Sequence, residues 1–126
     1  MPAADAFQGR RILIVEDDML IAIMIEDMLV DLGCTVAGPA NTLSEALALA
    51  EADHAIDVAM LDIDLNGVPV FPVADILRAR GVPIVYSTGF GGATIPPADR
   101  GCPVLQKPFR AGGLDAALSA ALRGRT

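Results

Sequence analysis

Asp62, Glu16, Asp17, Thr88 and Lys107 have the types and places that phosphoryl chemistry needs. Asp62 closes the apolar run Val58-Ala59-Met60-Leu61 and precedes Ile63-Asp64-Leu65-Asn66-Gly67. Glu16 and Asp17 end an earlier run, Ile12-Leu13-Ile14-Val15, in the same way, and Thr88 and Lys107 end two later ones. An acid that follows a buried strand stands at the open edge of a sheet. Acids from two strand ends, with a hydroxyl and an ammonium from two others, can build a single site for a divalent cation and a phosphoryl group. Mg²⁺ (or Mn²⁺) takes oxygen ligands in an octahedron and keeps several waters. Asp17 and Asp62 suit direct ligation, Glu16 suits orienting a bound water, and the backbone carbonyl of Asp64 sits where its turn can face the metal. Without a cation these acids repel one another and resist full ionisation. With one, the Asp62 carboxylate can attack phosphorus to give an acyl phosphate. Lys107 then supplies positive charge to the transferring group and Thr88 a hydroxyl donor.

Positioning these side chains takes alternating strands and helices, and the pattern supplies them. A strand is predicted from about Arg11 to Val15. Asp18 caps a helix that runs to about Leu32 and is stopped by Gly33. A short strand follows, Thr35 to Gly38. Thr42-Leu43-Ser44-Glu45 is a capping box that opens a second helix, to about Ala52. The third strand is Asp57 to Leu61, the third helix Phe71 to Arg80, the fourth strand Pro83 to Ser87. The fifth strand is Pro103 to Gln106, and the last helix runs from about Gly113 to Arg123. This order predicts a flavodoxin-like, doubly wound, five-stranded parallel sheet of order 2-1-3-4-5. There the first and third strands are neighbours, which brings Glu16 and Asp17 to Asp62. Between the fourth and fifth strands, Gly89 to Cys102 carries four glycines and an adjacent proline pair. The fourth helix is therefore expected to be short, irregular or missing, with at most one short turn.

The totals bound the reading. With 126 residues, 1–126 is expected to be a single domain with its core at about 11–122. The apolar fraction of 53% excludes a disordered chain. The longest apolar run, Met19 to Ile25, is far short of the ~18 residues a membrane span needs. No signal peptide is visible, so the expected location is cytoplasmic. A net charge of −7 with scattered basic residues argues against nucleic acid as a partner. Cys34 and Cys102 read as reduced thiols. A single histidine, His54, excludes a His-rich metal site and reads as a surface residue.

Ile12-Leu13-Ile14-Val15-Glu16-Asp17-Asp18, Leu61-Asp62-Ile63-Asp64-Leu65-Asn66-Gly67, Ser87-Thr88-Gly89 and Lys107-Pro108-Phe109 resemble, in order and spacing, the receiver domain of two-component response regulators. The resemblance spans about Arg11 to Leu122. It implies a receiver that accepts a phosphoryl group on Asp62 from a histidine kinase or histidine phosphotransfer protein, in a Mg²⁺-dependent reaction. The receiver then signals by altered binding of a downstream protein. It implies Glu16 and Asp17 as the acidic pair, Thr88 as the switch hydroxyl, Lys107 as the paired lysine, and a cis Lys107-Pro108 bond. The chain is thus expected to be a phosphoacceptor and not an enzyme, and a stand-alone receiver, since no output domain follows. Phosphorylation adds about −1.5 to −2 charges beside the loop after Thr88, which makes residues 88 to 102 the candidate bistable element. Where many receivers carry a switch aromatic, this chain has Val104. The Tyr86-Ser87-Thr88-Gly89-Phe90 string and Asn66 in place of the usual proline look like the FAT-GUY subgroup, which implies a kinase of the HWE type.

Two other readings stand beside this one. A receiver-shaped adaptor can bind its partner without phosphorylation. Asp62-Ile63-Asp64 also matches the start of the haloacid-dehalogenase phosphatase motif, but Asn66 and the short chain do not suit that family. A partner surface is expected on the first helix. Ile21, Met24, Ile25, Met28, Leu29 and Leu32 have the spacing to face the sheet, which leaves Met19, Leu20, Ala22 and Ile23 on or beside the outer face. An apolar patch beside a site marks a docking surface, and receivers meet their kinases through this helix.

Overall fold

The computed structural model describes residues 7–89 and 95–123. The element order is β1 (Arg11–Val15), α1 (Met19–Asp31), β2 (Thr35–Ala40), α2 (Leu43–Ala52), β3 (Val58–Asp62), β4 (Asp64–Leu65), β5 (Val68–Pro69), α3 (Phe71–Ala79), β6 (Ile84–Thr88), β7 (Val104–Gln106) and α4 (Ala111–Arg123). The main sheet runs β2-β1-β3-β6-β7, all parallel, which is the predicted 2-1-3-4-5 order. It is a flavodoxin-like doubly wound sheet.

The winding follows from alternation along the strands. In β1, Leu13 and Val15 join one apolar cluster with Ala46 and Ala50 of α2 and Val73 and Leu77 of α3. Ile12 and Ile14 join another with Ile25 and Leu29 of α1 and Leu114 and Leu118 of α4. Both faces of the sheet are therefore covered, as a parallel sheet requires. Phe7 is fully buried in the second cluster, so packing begins ahead of the expected start at Arg11. No helix among the described residues is long and apolar enough to cross a membrane.

Caps and turns set the strand ends. Asp18 caps α1, its carboxylate accepting from the N–H groups of Leu20 at 2.9 Å and Ile21 at 3.3 Å. In the capping box the Glu45 N–H donates to the Thr42 hydroxyl at 3.1 Å, while the Glu45 carboxylate reaches back to the N–H of Asn41 at 3.0 Å. β2 runs on to Ala40, past the predicted end at Gly38, which has φ of +90°.

The structure differs from the sequence-based expectation at three further places. Asp62 and Thr88 are the last residues of β3 and β6, and so lie within the ladders rather than after them. Residues 64 to 69 form a two-residue antiparallel ladder, β4 on β5, which the strand pattern does not predict. Asn66 (φ 53°) and Gly67 (φ 87°) form its turn, with the positive φ at both central residues that a type I′ hairpin demands. On α1, Ala22 is buried and Met24 is exposed, the reverse of the predicted faces. A small residue fits the buried position against the sheet, and Met24 lines a groove beside Lys107 and Pro108 instead. Between β6 and β7 the described residues hold one 3₁₀ turn, Pro97–Asp99, in keeping with a reduced fourth helix; residues 90–94 of that loop lie outside the described residues.

Candidate functional site

Parallel strands β1 and β3 pair so that Val15 lies opposite Leu61. The next residues, Glu16 and Asp62, therefore emerge side by side at the carboxyl edge of the sheet. Carboxylate oxygens of Glu16, Asp17 and Asp62 lie within 4.8 Å of one another. Glu16 and Asp62 are buried and Asp17 is half-buried.

Lys107 arrives from the far side. The Thr88 carbonyl accepts from the Lys107 N–H at 2.8 Å, and this bond ties the end of β6 to the turn after β7. The Lys107 ammonium then lies 2.9 Å from Oε1 of Glu16 and 3.0 Å from Oδ2 of Asp62. The Lys107-Pro108 bond is cis. Thr88 is nearly buried at the end of its strand.

The electrostatics follow from crowding acids in a dry place. Burial, with Asp62 close by, pushes the Glu16 carboxyl well above the usual carboxylate range, although Lys107 and the N–H of Asp18 oppose this. Burial also raises Asp62, against the pull of Glu16 and Lys107. Asp17 goes the other way: burial raises it, but hydrogen bonds from Glu16, Asp62 and the Asn66 N–H outweigh burial and leave it lowered. Burial disfavours the Lys107 ammonium, yet Glu16 and Asp62 outweigh that and raise its pKa. The set is three acids around one ammonium, short of positive charge.

Asp64 is exposed, and its Oδ1 accepts from the Gly67 N–H at 2.7 Å. Its own N–H donates to Oδ1 of Asp62 at 3.3 Å. Two residues that the strand-end reading does not single out also shape the site. The Asn41 amide donates to the Glu16 carbonyl at 2.9 Å, and the Asn66 N–H donates to Oδ2 of Asp17 at 2.9 Å. The Asn66-Gly67 pair is itself a hairpin signal, whereas nothing local in the sequence marks Asn41.

Beside the cluster, a groove of about 310 Å³ runs between Ile21 and Met24 of α1 and the Lys107-Pro108-Phe109 turn. Met19, Leu20 and Ile23 are exposed alongside Met24.

No protein-family model matches the sequence. The solution structure of SdrG from Sphingomonas melonis Fr1 superposes with a TM-score of 0.81 at 43% identity, over 97% of this chain and 99% of that one. The crystal structure of a response regulator receiver protein from Sinorhizobium medicae WSM419 superposes with a TM-score of 0.79 at 28% identity, covering 94% and 98%. The phyllosphere-induced regulator PhyR of Methylorubrum extorquens is 32% identical over 124 residues, 95% of this chain and 45% of that protein. The chain belongs to the response regulator receiver family. It spans less than half the length of the curated relatives it matches. Receivers are signalling domains of two-component systems, and here the acid cluster lies where a doubly wound sheet binds its ligands, at the carboxyl ends of the strands.

Proposed function

We propose that this receiver accepts a phosphoryl group on Asp62 from a phosphohistidine of a histidine kinase or histidine phosphotransfer protein, and signals by a changed affinity for a downstream protein. The observation that carries this reading is the Lys107 ammonium held between two buried carboxylates, 2.9 Å from Glu16 and 3.0 Å from Asp62, in a chain of the receiver family. In the transfer, an Asp62 oxygen bonds to phosphorus as the phosphorus–nitrogen bond of the donor breaks, and the electron pair leaves with the imidazole. Lys107 offers its ammonium to the transferred oxygens, and Thr88 donates from the end of β6. Hydrolysis of the acyl phosphate returns the carboxylate. The domain thus takes part in its own phosphorylation and dephosphorylation without turning over a separate substrate.

Glu16, Asp17, Asp62 and the Asp64 carbonyl would hold Mg²⁺ (or Mn²⁺). Their hard oxygen donors fit such an ion, and so does the crowding of three acids around the one Lys107 ammonium, with Glu16 raised by burial and by Asp62 beside it. Bound there, the cation supplies the charge that lets acids and phosphoryl oxygens share one site. The deciding measurement is phosphotransfer from a labelled cognate kinase. Label is expected on the wild type and not on Asp62→Asn. Equal labelling of the variant overturns the reading, and partner binding that is indifferent to phosphorylation favours an adaptor.

The exposed Met19, Leu20, Ile23 and Met24, with the groove beside them, support α1 as the docking surface for the phosphodonor. The Tyr86 to Phe90 string and Asn66 support placement in the FAT-GUY subgroup and a kinase of the HWE type as donor.

A further inference from the structure

Asp99 is 2% exposed, a carboxylate buried at a distance from the acid cluster and unused by the chemistry above. Its two strong side-chain partners come from two other elements, and a third lies in its own segment. Arg78 of α3 donates from Nε to Oδ1 at 2.9 Å and from Nη2 to Oδ2 at 2.6 Å. The Tyr86 hydroxyl, from the middle of β6, donates to Oδ2 at 2.6 Å. Cys102 places its thiol 3.9 Å from Oδ1. Arg78 is oriented in turn by Asp75, at 3.0 Å. Tyr86 is itself fully buried, edge-on to Phe71 with ring centroids 5.9 Å apart.

Ile95 and Cys102 pack on the apolar cluster that α2 and α3 share with β6. The segment between them therefore lies on the stretch of sheet that a fourth helix would ordinarily cover. Backbone bonds alone do not hold it there. Among the described residues its internal ones are short-range turns, Asp99 N–H to the Pro96 carbonyl, Arg100 N–H to the Pro97 carbonyl and Cys102 N–H to the Asp99 carbonyl. Besides the packing of Ile95 and Cys102, the contact that ties it to α3 and β6 is the buried Asp99 carboxylate. Breaking a buried, hydrogen-bonded pair by removing one partner leaves an uncompensated charge, which is strongly unfavourable. A contact of that kind makes a poor switch and a good fixed point.

We infer that Asp99 anchors residues 95–102 to α3 and β6, in place of a regular helix, and that this segment stays docked whether or not the site carries a phosphoryl group. The first half stands on the contacts alone; the second rests on the reading of Asp62 as the phosphoacceptor. The bistable stretch expected over residues 88 to 102 then loses its second half. It follows too that Tyr86 is held by Asp99 in both states and is no substitute for the switch aromatic absent at Val104.

Amide hydrogen exchange by NMR tests both halves, on the full chain with and without Mg²⁺ and beryllium trifluoride as the phosphoryl mimic. Fluorine NMR, with Asp62→Asn as control, reports whether the adduct forms. In the wild type the amides of Asp99 and Cys102 are expected to keep the same protection in both states. In Asp99→Asn they are expected to exchange at least about tenfold faster, while Leu13 and Leu61 in the central strands keep their protection. Tyr86→Phe, which removes one donor and keeps the ring, is expected to give a smaller increase at the same amides, and it serves where Asp99→Asn does not fold. Loss of protection at Asp99 and Cys102 on adduct formation overturns the fixed segment. Unchanged protection in the folded variants overturns the anchor. A wild type that forms no adduct counts against the phosphoacceptor reading instead, and the variants still decide the anchor.

Discussion

One ammonium serves two buried carboxylates at the edge of this sheet, with a third carboxylate beside them. That shortage of positive charge is what a divalent cation would relieve. Binding of an ion to the fold and not to the unfolded chain stabilises by about 2.7 kcal/mol at a hundredfold excess over Kd. Urea denaturation with and without Mg²⁺ is expected to show a stabilisation of this order in the wild type. It should be absent in Asp17→Asn, which keeps the shape and removes a ligand charge. An equal shift in both proteins would exclude Asp17 as a ligand. The acids at the ends of β1 and β3 and Thr88 were legible in the sequence because each closes an apolar run, and the end of a buried strand has a fixed place in a parallel sheet; Lys107 follows the exposed edge strand β7. Asn41 was not, because its amide serves a carbonyl 25 residues away that becomes its neighbour only once β1 and β2 pair.

Elements were legible to the extent that their signals are local. The Asp18 cap and the Thr42–Glu45 box are contacts within one helical turn, and both are present. The faces of α1 were less so: every residue from Met19 to Ile25 is apolar, so periodicity could not tell Ala22 from Met24, and packing against the sheet decided between them. The end of β2 depended on geometry that residue types do not carry. A Cβ on Gly38 would lie 2.7 Å from the Ala40 nitrogen and 3.0 Å from the Ile14 carbonyl oxygen, both backbone, at a φ of +90°. Gly81 has a comparable φ of +74° and open space around it. Gly81→Ala should therefore cost only the left-handed penalty of about 1 kcal/mol. Gly38→Ala should cost clearly more, since β1 or β2 must shift. Urea midpoints of the two variants compare them directly, and equal losses would show that the β1–β2 contact yields freely.

On the scale of the molecule, two distant features set how the domain responds to its surroundings. Burial opposes the charge on Asp99, but Arg78 and Tyr86 outweigh burial and hold its carboxyl below the usual range. Arg78, Tyr86, Cys102 and, through Arg78, Asp75 are the ionisable groups around it. A carboxyl lowered in the fold adds stability above its unfolded value, and that stability is lost as pH falls through the folded one. The wild type should lose stability on acidification more steeply than Asp99→Asn, as read from urea midpoints across acidic pH; parallel profiles would mean that the carboxylate is not what holds the segment. The other feature is the patch on α1. If it docks the phosphodonor, charge there should impair transfer between proteins and spare the chemistry at Asp62, which lies on another element. Leu20 is 79% exposed and Ile23 49% exposed, so aspartate at either position leaves the core intact. Leu20→Asp with Ile23→Asp should lower the rate of phosphotransfer from the kinase at least about tenfold, the worth of one lost apolar contact of roughly 1.4 kcal/mol. Loading by a small acyl phosphate should proceed at the wild-type rate. Equal losses with both donors would place the defect in the site, and no loss with either would move the docking surface off α1.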